Sequence, residues 1–225
     1  MANTETTINA VIHPQPSETS IDIEKTIKAL ERNKFVVHYF ETGAEAVAYL
    51  KNRIQNKCVA IGDSRTLLEI GVHDALSEVN EDITDIQRPL PGESFRDTAL
   101  RTMGRDVFLT SVNALSQTGE MVNIDGTGNR VAASLFGSQE VFFVLGVNKI
   151  TPDLASAIYR ARNVAAPLNS KKNKKSSLNP CATLDEKCYD CGSPDRICNA
   201  LTIYYKKMRN MQTMEIIIIN ESLGF

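Results

Sequence analysis

Short apolar runs, separated by segments with helical spacing, constrain the fold of this chain more than any other feature. The apolar runs predict strands at residues 34–40, 58–61, 83–86, 107–110, 121–124, 141–145 and 215–219. The intervening spacing predicts helices at residues 21–30, 44–54, 66–76, 93–103, 130–136 and 152–164. This alternation is typical of an α/β domain with a largely parallel sheet flanked by helices.

Length and charge narrow the class of protein. The chain has 225 residues, of which 42% are hydrophobic, so we expect a single domain over residues 19–225 that follows a flexible lead-in at residues 1–18. The net charge of -2 gives no general attraction to nucleic acid or to an anionic membrane. No apolar run approaches the roughly 20 residues that span a bilayer, and the first residues lack a secretory signal. We therefore expect a cytoplasmic protein whose partners are small molecules or proteins.

Polar turns follow several of the predicted strands. In parallel sheets, ligands gather at the carboxyl ends of the strands, so the turns at residues 62–66, 111–113 and 146–149 are expected to form one pocket. A helix that begins near Thr66 also offers free N–H groups to an anion. Lys149 either supplies positive charge to a ligand or lies in solvent, as most lysines do. The candidate ligand-binding residues in these turns are Gly62, Ser64, Thr66, Asn113, Asn148 and Lys149.

The stretch from residue 110 to residue 148 is rich in glycine and in polar side chains. Gly119, Gly126 and Gly128 are expected to adopt positive φ, which lets backbone N–H groups cradle a phosphate or a carboxylate. Asn129 is expected to cap the helix at residues 130–136, and the guanidinium of Arg130 suits bidentate capture of an acid. The alternative is a tight hairpin followed by a capped helix. The candidate residues of this stretch are Asn113, Glu120, Asn123, Asp125, Gly126, Gly128, Asn129 and Arg130.

Four cysteines lie close together near the end of the sequence. Cys181, Cys188, Cys191 and Cys198 have the spacing C-x6-C-x2-C-x6-C, in a segment at residues 179–199. In a cytosolic protein this density of thiols predicts a metal site. Zn²⁺ and an iron–sulfur cluster both satisfy four thiolates, and redox chemistry at the central pair is a weaker third alternative. Cys58 lies in an apolar strand and is predicted to be a core residue.

Several common functional motifs are absent from the sequence. There is no nucleotide-binding loop, no dinucleotide-binding fingerprint and no G-x-S-x-G elbow. The basic run at residues 171–175 lacks interleaved aromatic residues and is predicted to be a solvated linker. The three histidines have no partner at ligand spacing.

Taken together, the motifs resemble the LUD-domain lactate-utilisation proteins, in the branch with a C-terminal cysteine cluster. The similar segments are GDSRTLLEIG, TSVNALSQTGEMVNIDGTGNRVAASLFG, VLGVNKI, APLNSKK, CYDCGSPDRIC and NESLGF, and the resemblance covers roughly residues 20–225. It implies a fold like that of the ribose-phosphate isomerase, glucosamine-phosphate deaminase and CoA-transferase group. One departure is Asp63, which stands where the family pattern has a glycine.

The resemblance implies a component of lactate oxidation to pyruvate that acts with partner redox subunits, and a homo-oligomer is compatible with it. In that function Arg130 binds the lactate carboxylate, while Asn113, Asn123 or Asp125 orients the hydroxyl. One alternative is a transferase or isomerase for a sugar phosphate or acyl-CoA, with Glu120 as base or nucleophile. Another is a non-catalytic subunit that senses a metabolite or assists assembly. The candidate catalytic residues are therefore Glu120 and Asp125.

Overall fold

The structure is a computed structural model that describes residues 20–172, 178–185 and 187–225. The strands are β1 Val36–Phe40, β2 Cys58–Ile61, β3 Asp82–Asp85, β4 Val107–Thr110, β5 Ala114–Ser116, β6 Met121–Asp125, β7 Glu140–Gly146, β8 Ile150–Thr151, β9 Ala200–Tyr204 and β10 Thr213–Ile219. The α-helices are α1 Ile23–Arg32, α2 Gly43–Arg53, α3 Arg65–Glu69, α4 Val72–Ser77, α5 Phe95–Arg101, α6 Asn129–Leu135, α7 Leu154–Arg160, α8 Ala166–Lys172 and α9 Pro180–Thr183. The predicted lead-in at residues 1–18 lies outside the described residues.

A six-stranded sheet forms the centre of the fold. Its strand order is β1-β10-β7-β4-β2-β3, and all neighbouring strands are parallel. Every residue of β7 is buried, because helices or other layers cover both faces of a parallel sheet. This burial explains why β7 and β10 are the most continuously apolar runs in the sequence. The predicted α/β class, with a largely parallel sheet flanked by helices, is confirmed.

Alternate residues of β7 point to opposite sides of the sheet and belong to two separate cores. Val141, Phe143 and Leu145 pack into one core, where the ring of Phe143 meets the ring of Tyr204 edge-on at 5.3 Å between centroids. Phe142 packs into the other core, together with side chains of helices α2, α3 and α4. Burying a side chain of this size stabilises the fold by about 1.5–3 kcal/mol. The two cores fix the sheet, and with it the turns that follow its strands.

Helix boundaries are where the sequence prediction needs correction. The single helix predicted at residues 66–76 is wrong: α3 and α4 are separate, and Gly71 between them has φ of 70°. A left-handed residue stops an α-helix, and glycine adopts this conformation without steric strain. The helix predicted at residues 152–164 begins at Leu154, after its N-cap Asp153, and continues through a π-helical turn at Ala161–Ala165 into α8. None of the described helices is long and apolar enough to cross a membrane.

A second sheet was not predicted as a unit. It has the strand order β8-β5-β6-β9, in which β5 and β6 form an antiparallel hairpin and β9 adds to β6. Only β6 was recognised from the sequence, because β5 and β8 have three and two residues, too few to show a periodicity. The strand β9 follows the cysteine segment directly and ties that segment to β6.

Candidate functional site

The turns after five parallel strands meet in one cleft of about 460 Å³. Ser64 follows β2, Gln87 follows β3, Ser111 follows β4, Lys149 follows β7 and Phe225 follows β10. The structure thus brings together the three turns that the sequence places at the carboxyl ends of the strands. The residues predicted for a ligand or for catalysis that line the cleft are Ser64, Asn113, Asp125, Gly126, Asn129, Arg130 and Lys149.

Lys149 lies at the cleft and is almost completely buried. Its side chain donates hydrogen bonds to Thr66 Oγ1 at 2.8 Å and to Ser111 Oγ at 3.0 Å. Only 3% of the residue is exposed, so of the two alternatives for Lys149 the one in which it lies in solvent is wrong. The backbone leaves β7 at Gly146, enters a 3₁₀ turn at Val147–Lys149 and continues into β8, which holds the lysine from both sides.

The environment of Lys149 disfavours its charged form. Burial of the ammonium, helped by the positive charges of Arg160 and Arg130, lowers the pKa of Lys149 to about 7, against the opposing charge of Glu69. Burial also lowers the pKa of Arg160 to about 10. Among the described residues, no carboxylate lies within 4 Å of the Lys149 ammonium. A buried cation of this kind favours an anionic ligand.

Asp125 and Arg130 are already engaged with the protein itself. Asp125 Oδ1 accepts hydrogen bonds from the N–H groups of Thr127 at 3.1 Å and Gly128 at 2.9 Å. Arg130 donates to the carbonyl of Ile124 at 2.7 Å, and its Nε lies 3.6 Å from Asp125 Oδ2. The carboxylate therefore holds the turn before α6, and part of the Arg130 guanidinium is already engaged with the protein.

The glycine-rich turn differs in detail from its prediction. Gly119 and Gly128 have the expected positive φ, at 101° and 86°, whereas Gly126 does not. Gly126 instead allows a close approach, since a Cβ there would lie 3.0 Å from the carbonyl oxygen of Ile197. The prediction that Asn129 caps the helix is also wrong, because α6 begins at Asn129 and its N-cap is Gly128.

Asn113 and Asn123 connect the ends of the hairpin strands. Asn123 is fully buried; its Oδ1 accepts from the Asn113 N–H at 3.0 Å, and its amide donates to the Ser111 carbonyl at 3.4 Å. Asn113 Oδ1 accepts from the Ile124 N–H at 2.7 Å. Asn123 is thus outside the cleft lining and supports its wall, while Asn113 is half-buried and lines the cleft.

The turn at residues 62–66, which follows β2, contributes to the cleft mainly through its backbone and Ser64. The Ser64 side chain caps α3 by accepting from the Leu67 N–H at 3.3 Å. Gly62 packs under Phe108, where a Cβ would lie 2.9 Å from that ring, so packing explains this glycine. Asp63 points to Gln87, whose amide donates to it at 2.7 Å. Gly62 and Thr66 do not line the cleft, although Thr66 contacts Lys149 behind it.

Residues 223–225 lie across the end of the cleft next to Lys149. The Asn148 side chain binds the backbone of Leu223 twice. Its Oδ1 accepts from the Leu223 N–H at 3.1 Å, and its amide donates to the Leu223 carbonyl at 3.4 Å. The Gly224 N–H donates to Glu69 Oε2 at 2.7 Å, and the Phe225 ring lies 5.5 Å from the Lys172 ammonium. Asn148, predicted as a ligand residue, therefore holds this segment in place.

Replacing Gly224 with alanine is expected to displace this segment. A Cβ there would lie 2.6 Å from Thr66 Oγ1 and 3.1 Å from Lys149 Nζ, on a backbone with φ of 62°. We expect a loss of about 1–3 kcal/mol in the free energy of unfolding, measured by urea denaturation. Gly104→Ala is the matched control, because φ is 69° and no atom lies within 4 Å of its added Cβ. Equal losses in the two variants would show that only backbone strain matters.

Glu120 is placed away from the cleft. It precedes β6, whereas Asp125 ends that strand and lines the cleft. Its carboxylate accepts from Thr118 Oγ1 at 2.5 Å, in the turn of the hairpin. The neighbouring Gly119 packs against α1, where a Cβ would lie 2.9 Å from the Ala29 carbonyl oxygen. A catalytic role for Glu120 in this cleft has no support from its position.

The cysteine segment packs beside the cleft. Ile197 lines the cleft, and Asn199 donates from its backbone to the Asp125 carbonyl at 3.0 Å. Cys188 Sγ accepts hydrogen bonds from Arg162 at 3.6 Å and from the Asp190 N–H at 3.4 Å. Burial raises the pKa of the Cys198 thiol, against the lowering effect of Arg196.

The grouping of these thiols bears on the predicted metal site. In residues 20–172, 178–185 and 187–225, no three His, Cys, Asp or Glu side chains are grouped as a metal ion requires. Cys181, Cys188, Cys191 and Cys198 are free thiols in the structure, and all are half-buried. The zinc or iron–sulfur assignment stays a prediction from their spacing.

Ser111 and Arg160 were not selected from the sequence as site residues. Ser111 is buried and accepts from Lys149, and its position directly after β4 was a usable signal. Arg160 donates to the carbonyls of Asn148 at 3.1 Å and Asn113, and so joins two of the turns. It is the last residue of α7, directly after Tyr159, and this sequence context does not single out a functional arginine.

Comparison with known proteins then assigns the family. A family model for the LUD domain matches residues 23–219, which is most of the chain. The chain belongs to the LUD-domain family. This family is associated with lactate utilisation. The fold is similar to that in the crystal structure of a DUF162 family protein from Deinococcus radiodurans, with a TM-score of 0.51 and 12% identity over 88% of this chain and 95% of the other. A search of curated proteins found no match for this LUD-domain chain.

Proposed function

We propose that this LUD-domain protein binds a small carboxylate of the lactate and pyruvate type in the cleft, as part of lactate utilisation. The observation that carries the proposal is the buried ammonium of Lys149, which is held by the hydroxyl groups of Thr66 and Ser111. A carboxylate that reached it would neutralise a charge that the protein leaves without a close anionic partner. The family association supports lactate as the first acid to test.

The side chains beside Lys149 carry groups that orient a hydroxy acid. Ser64, Ser111 and Asn113 line the cleft beside Lys149 and carry hydroxyl or amide groups that hydrogen-bond a 2-hydroxyl or a 2-oxo group. We assign binding and orientation of the acid to this chain. Oxidation of lactate to pyruvate removes two electrons and two protons, and the proposal leaves their acceptor to partner subunits that carry redox centres.

Carboxylate binding is expected to weaken as the pH rises through about 7. The ligand stays ionised across this range, whereas Lys149, with a pKa of about 7, loses its charge. If only the protonated lysine binds, affinity for lactate falls by about 30-fold between pH 6 and pH 8.5. Isothermal titration calorimetry of the purified chain with L-lactate, D-lactate, pyruvate and inorganic phosphate measures this.

The same titrations separate the proposal from its alternatives. Preference for phosphate over lactate and pyruvate would contradict the proposed ligand, and affinity that is independent of pH would contradict the role of Lys149. The transferase or isomerase alternative loses support because Glu120 lies outside the cleft. The metabolite-sensing alternative makes the same binding prediction, and an assay for lactate oxidation with added electron acceptor and candidate partners distinguishes it.

A further inference from the structure

We propose that the physiological ligand of the cleft is a 2-hydroxy or 2-oxo monocarboxylic acid with a bulky apolar side chain, larger than lactate or pyruvate. The inference rests on the proposed function, because it keeps Lys149 as the carboxylate site. It adds a second region of the cleft, which we call the apolar wall and define by Leu68, Phe95, Ile197 and Phe225.

The size of the cleft is the first argument. Its volume of about 460 Å³ lies in the range of about 300–1,000 Å³ that is typical of sites for drug-sized ligands. Such sites bury most of the ligand surface. A three-carbon acid bound at Lys149 would leave most of this space to solvent. A longer acid would fill it and gain the free energy of burying apolar surface.

The exposure of the apolar wall is the second argument. Phe95 is 50% exposed and Leu68 is 48% exposed, although both are large hydrophobic side chains. Single exposed residues of this kind are common, but here two of them line the same cleft as Ile197 and Phe225. They lie on two different helices, α5 and α3, so the fold and not one helix face brings them together. The apolar part of a ligand would cover both.

The engagement of the neighbouring arginines points to Lys149 as the main site for an acidic group of the ligand. Arg65 pairs with Glu69 at 2.6 Å, and Arg130 donates to the carbonyl of Ile124 at 2.7 Å. Arg160 donates to backbone carbonyls on two turns. Each of these arginines already binds a group of the protein, whereas Lys149 has no carboxylate of the described residues within 4 Å. Lys149 therefore provides the main site for charge, and the apolar wall suits an uncharged side chain.

A series of 2-hydroxy acids tests the inference. We would titrate the full chain with lactate, 2-hydroxybutanoate, 2-hydroxy-4-methylpentanoate and 3-phenyllactate by calorimetry at pH 6. Affinity is expected to rise by about four-fold for each methylene that becomes buried, and 3-phenyllactate is expected to bind more than ten-fold tighter than lactate. Phe95→Ala should remove most of this gain.

The chain offers a matched control on the same helix. Leu100 also lies on α5 and is 55% exposed, but it does not line the cleft, so Leu100→Ala should preserve the gain. If lactate binds at least as tightly as the larger acids, the inference is wrong and the proposed function stands. If the gain survives in Phe95→Ala, the apolar wall does not bind the side chain and the inference is overturned. If no acid binds, the proposed function fails, and this inference fails with it.

Discussion

Replacing Lys149 with methionine is expected to abolish carboxylate binding and at the same time to stabilise the protein. Lys149 is 3% exposed as a whole residue, and its ammonium has no carboxylate of the described residues within 4 Å, so its charge opposes folding. Methionine has a similar length and no charge to bury. We expect a gain on the order of 2 kcal/mol in the free energy of unfolding at pH 6, with a melting temperature about 4–8 °C higher. Affinity for lactate should fall by roughly 100-fold.

The pH dependence of this gain follows from the sign of the pKa shift. The pKa of Lys149 is about 7 in the folded protein and 10.5 in the unfolded chain, so the unfolded state binds more protons between these values. The destabilisation by Lys149 is therefore complete below pH 7 and disappears as the pH rises towards 10.5. Differential scanning fluorimetry from pH 6 to pH 10 should show the methionine variant and the wild type converging.

An exposed lysine provides the control for this experiment. The side chain of Lys28 on α1 is 76% exposed, and Lys28→Met should change the melting temperature by no more than about 1–2 °C. If Lys149→Met lowers the melting temperature, the hydrogen bonds to Thr66 and Ser111 contribute more than burial of the charge costs. If that variant retains full affinity for lactate, Lys149 is not the carboxylate site.

Replacing Asp125 with alanine is expected to destabilise the protein by about 3 kcal/mol, which is a decrease of about 6–12 °C in melting temperature. The side chain of Asp125 is 4% exposed and accepts from the N–H groups of Thr127 and Gly128. Its removal leaves those donors without a partner and leaves Arg130 without its nearby carboxylate. Asp125→Asn keeps one oxygen acceptor and should lose about 1 kcal/mol. Thermal and urea denaturation measure both variants.

The matched control is an aspartate that pairs with an arginine in solvent. Asp74 lies 2.6 Å from Arg88, and its side chain is 72% exposed, so Asp74→Ala should cost less than about 1 kcal/mol. The Asp125 variants also test the catalytic role predicted for this residue. A variant with wild-type stability and no activity in lactate oxidation would support catalysis, whereas a loss of stability supports the structural role that its contacts indicate.

The central sheet was accessible from the sequence because its inner strands must be apolar on both faces. The runs in β2, β4, β7 and β10 are short, apolar and bounded by polar turns, which distinguishes them from helices without knowledge of their neighbours. The same reasoning located the cleft, since the carboxyl ends of parallel strands share one edge. Short strands such as β5 and β8 carry no such signal. They form when each pairs with the other, which is distant in the sequence.

The roles of individual residues were less accessible, because they depend on contacts between distant segments. Asp125 and Arg130 have the side chains of a ligand site, yet the structure pairs them with each other and with the backbone of their own turn. Asn148 binds the backbone of Leu223, 75 residues later in the chain. Residue type and spacing do not encode such contacts, which form only when the strands are assembled.

By itself, then, the sequence determined the α/β class, the central strands, the edge of the sheet where the cleft lies and the family. Those properties follow from local apolar patterning and from motifs that are contiguous in the chain. Only the tertiary structure decided that Lys149 is buried, that Glu120 lies apart from the cleft and that Phe95 and Phe225 line the same cleft. Burial and proximity are properties of packed surfaces from several segments, so no single segment of the sequence contains them.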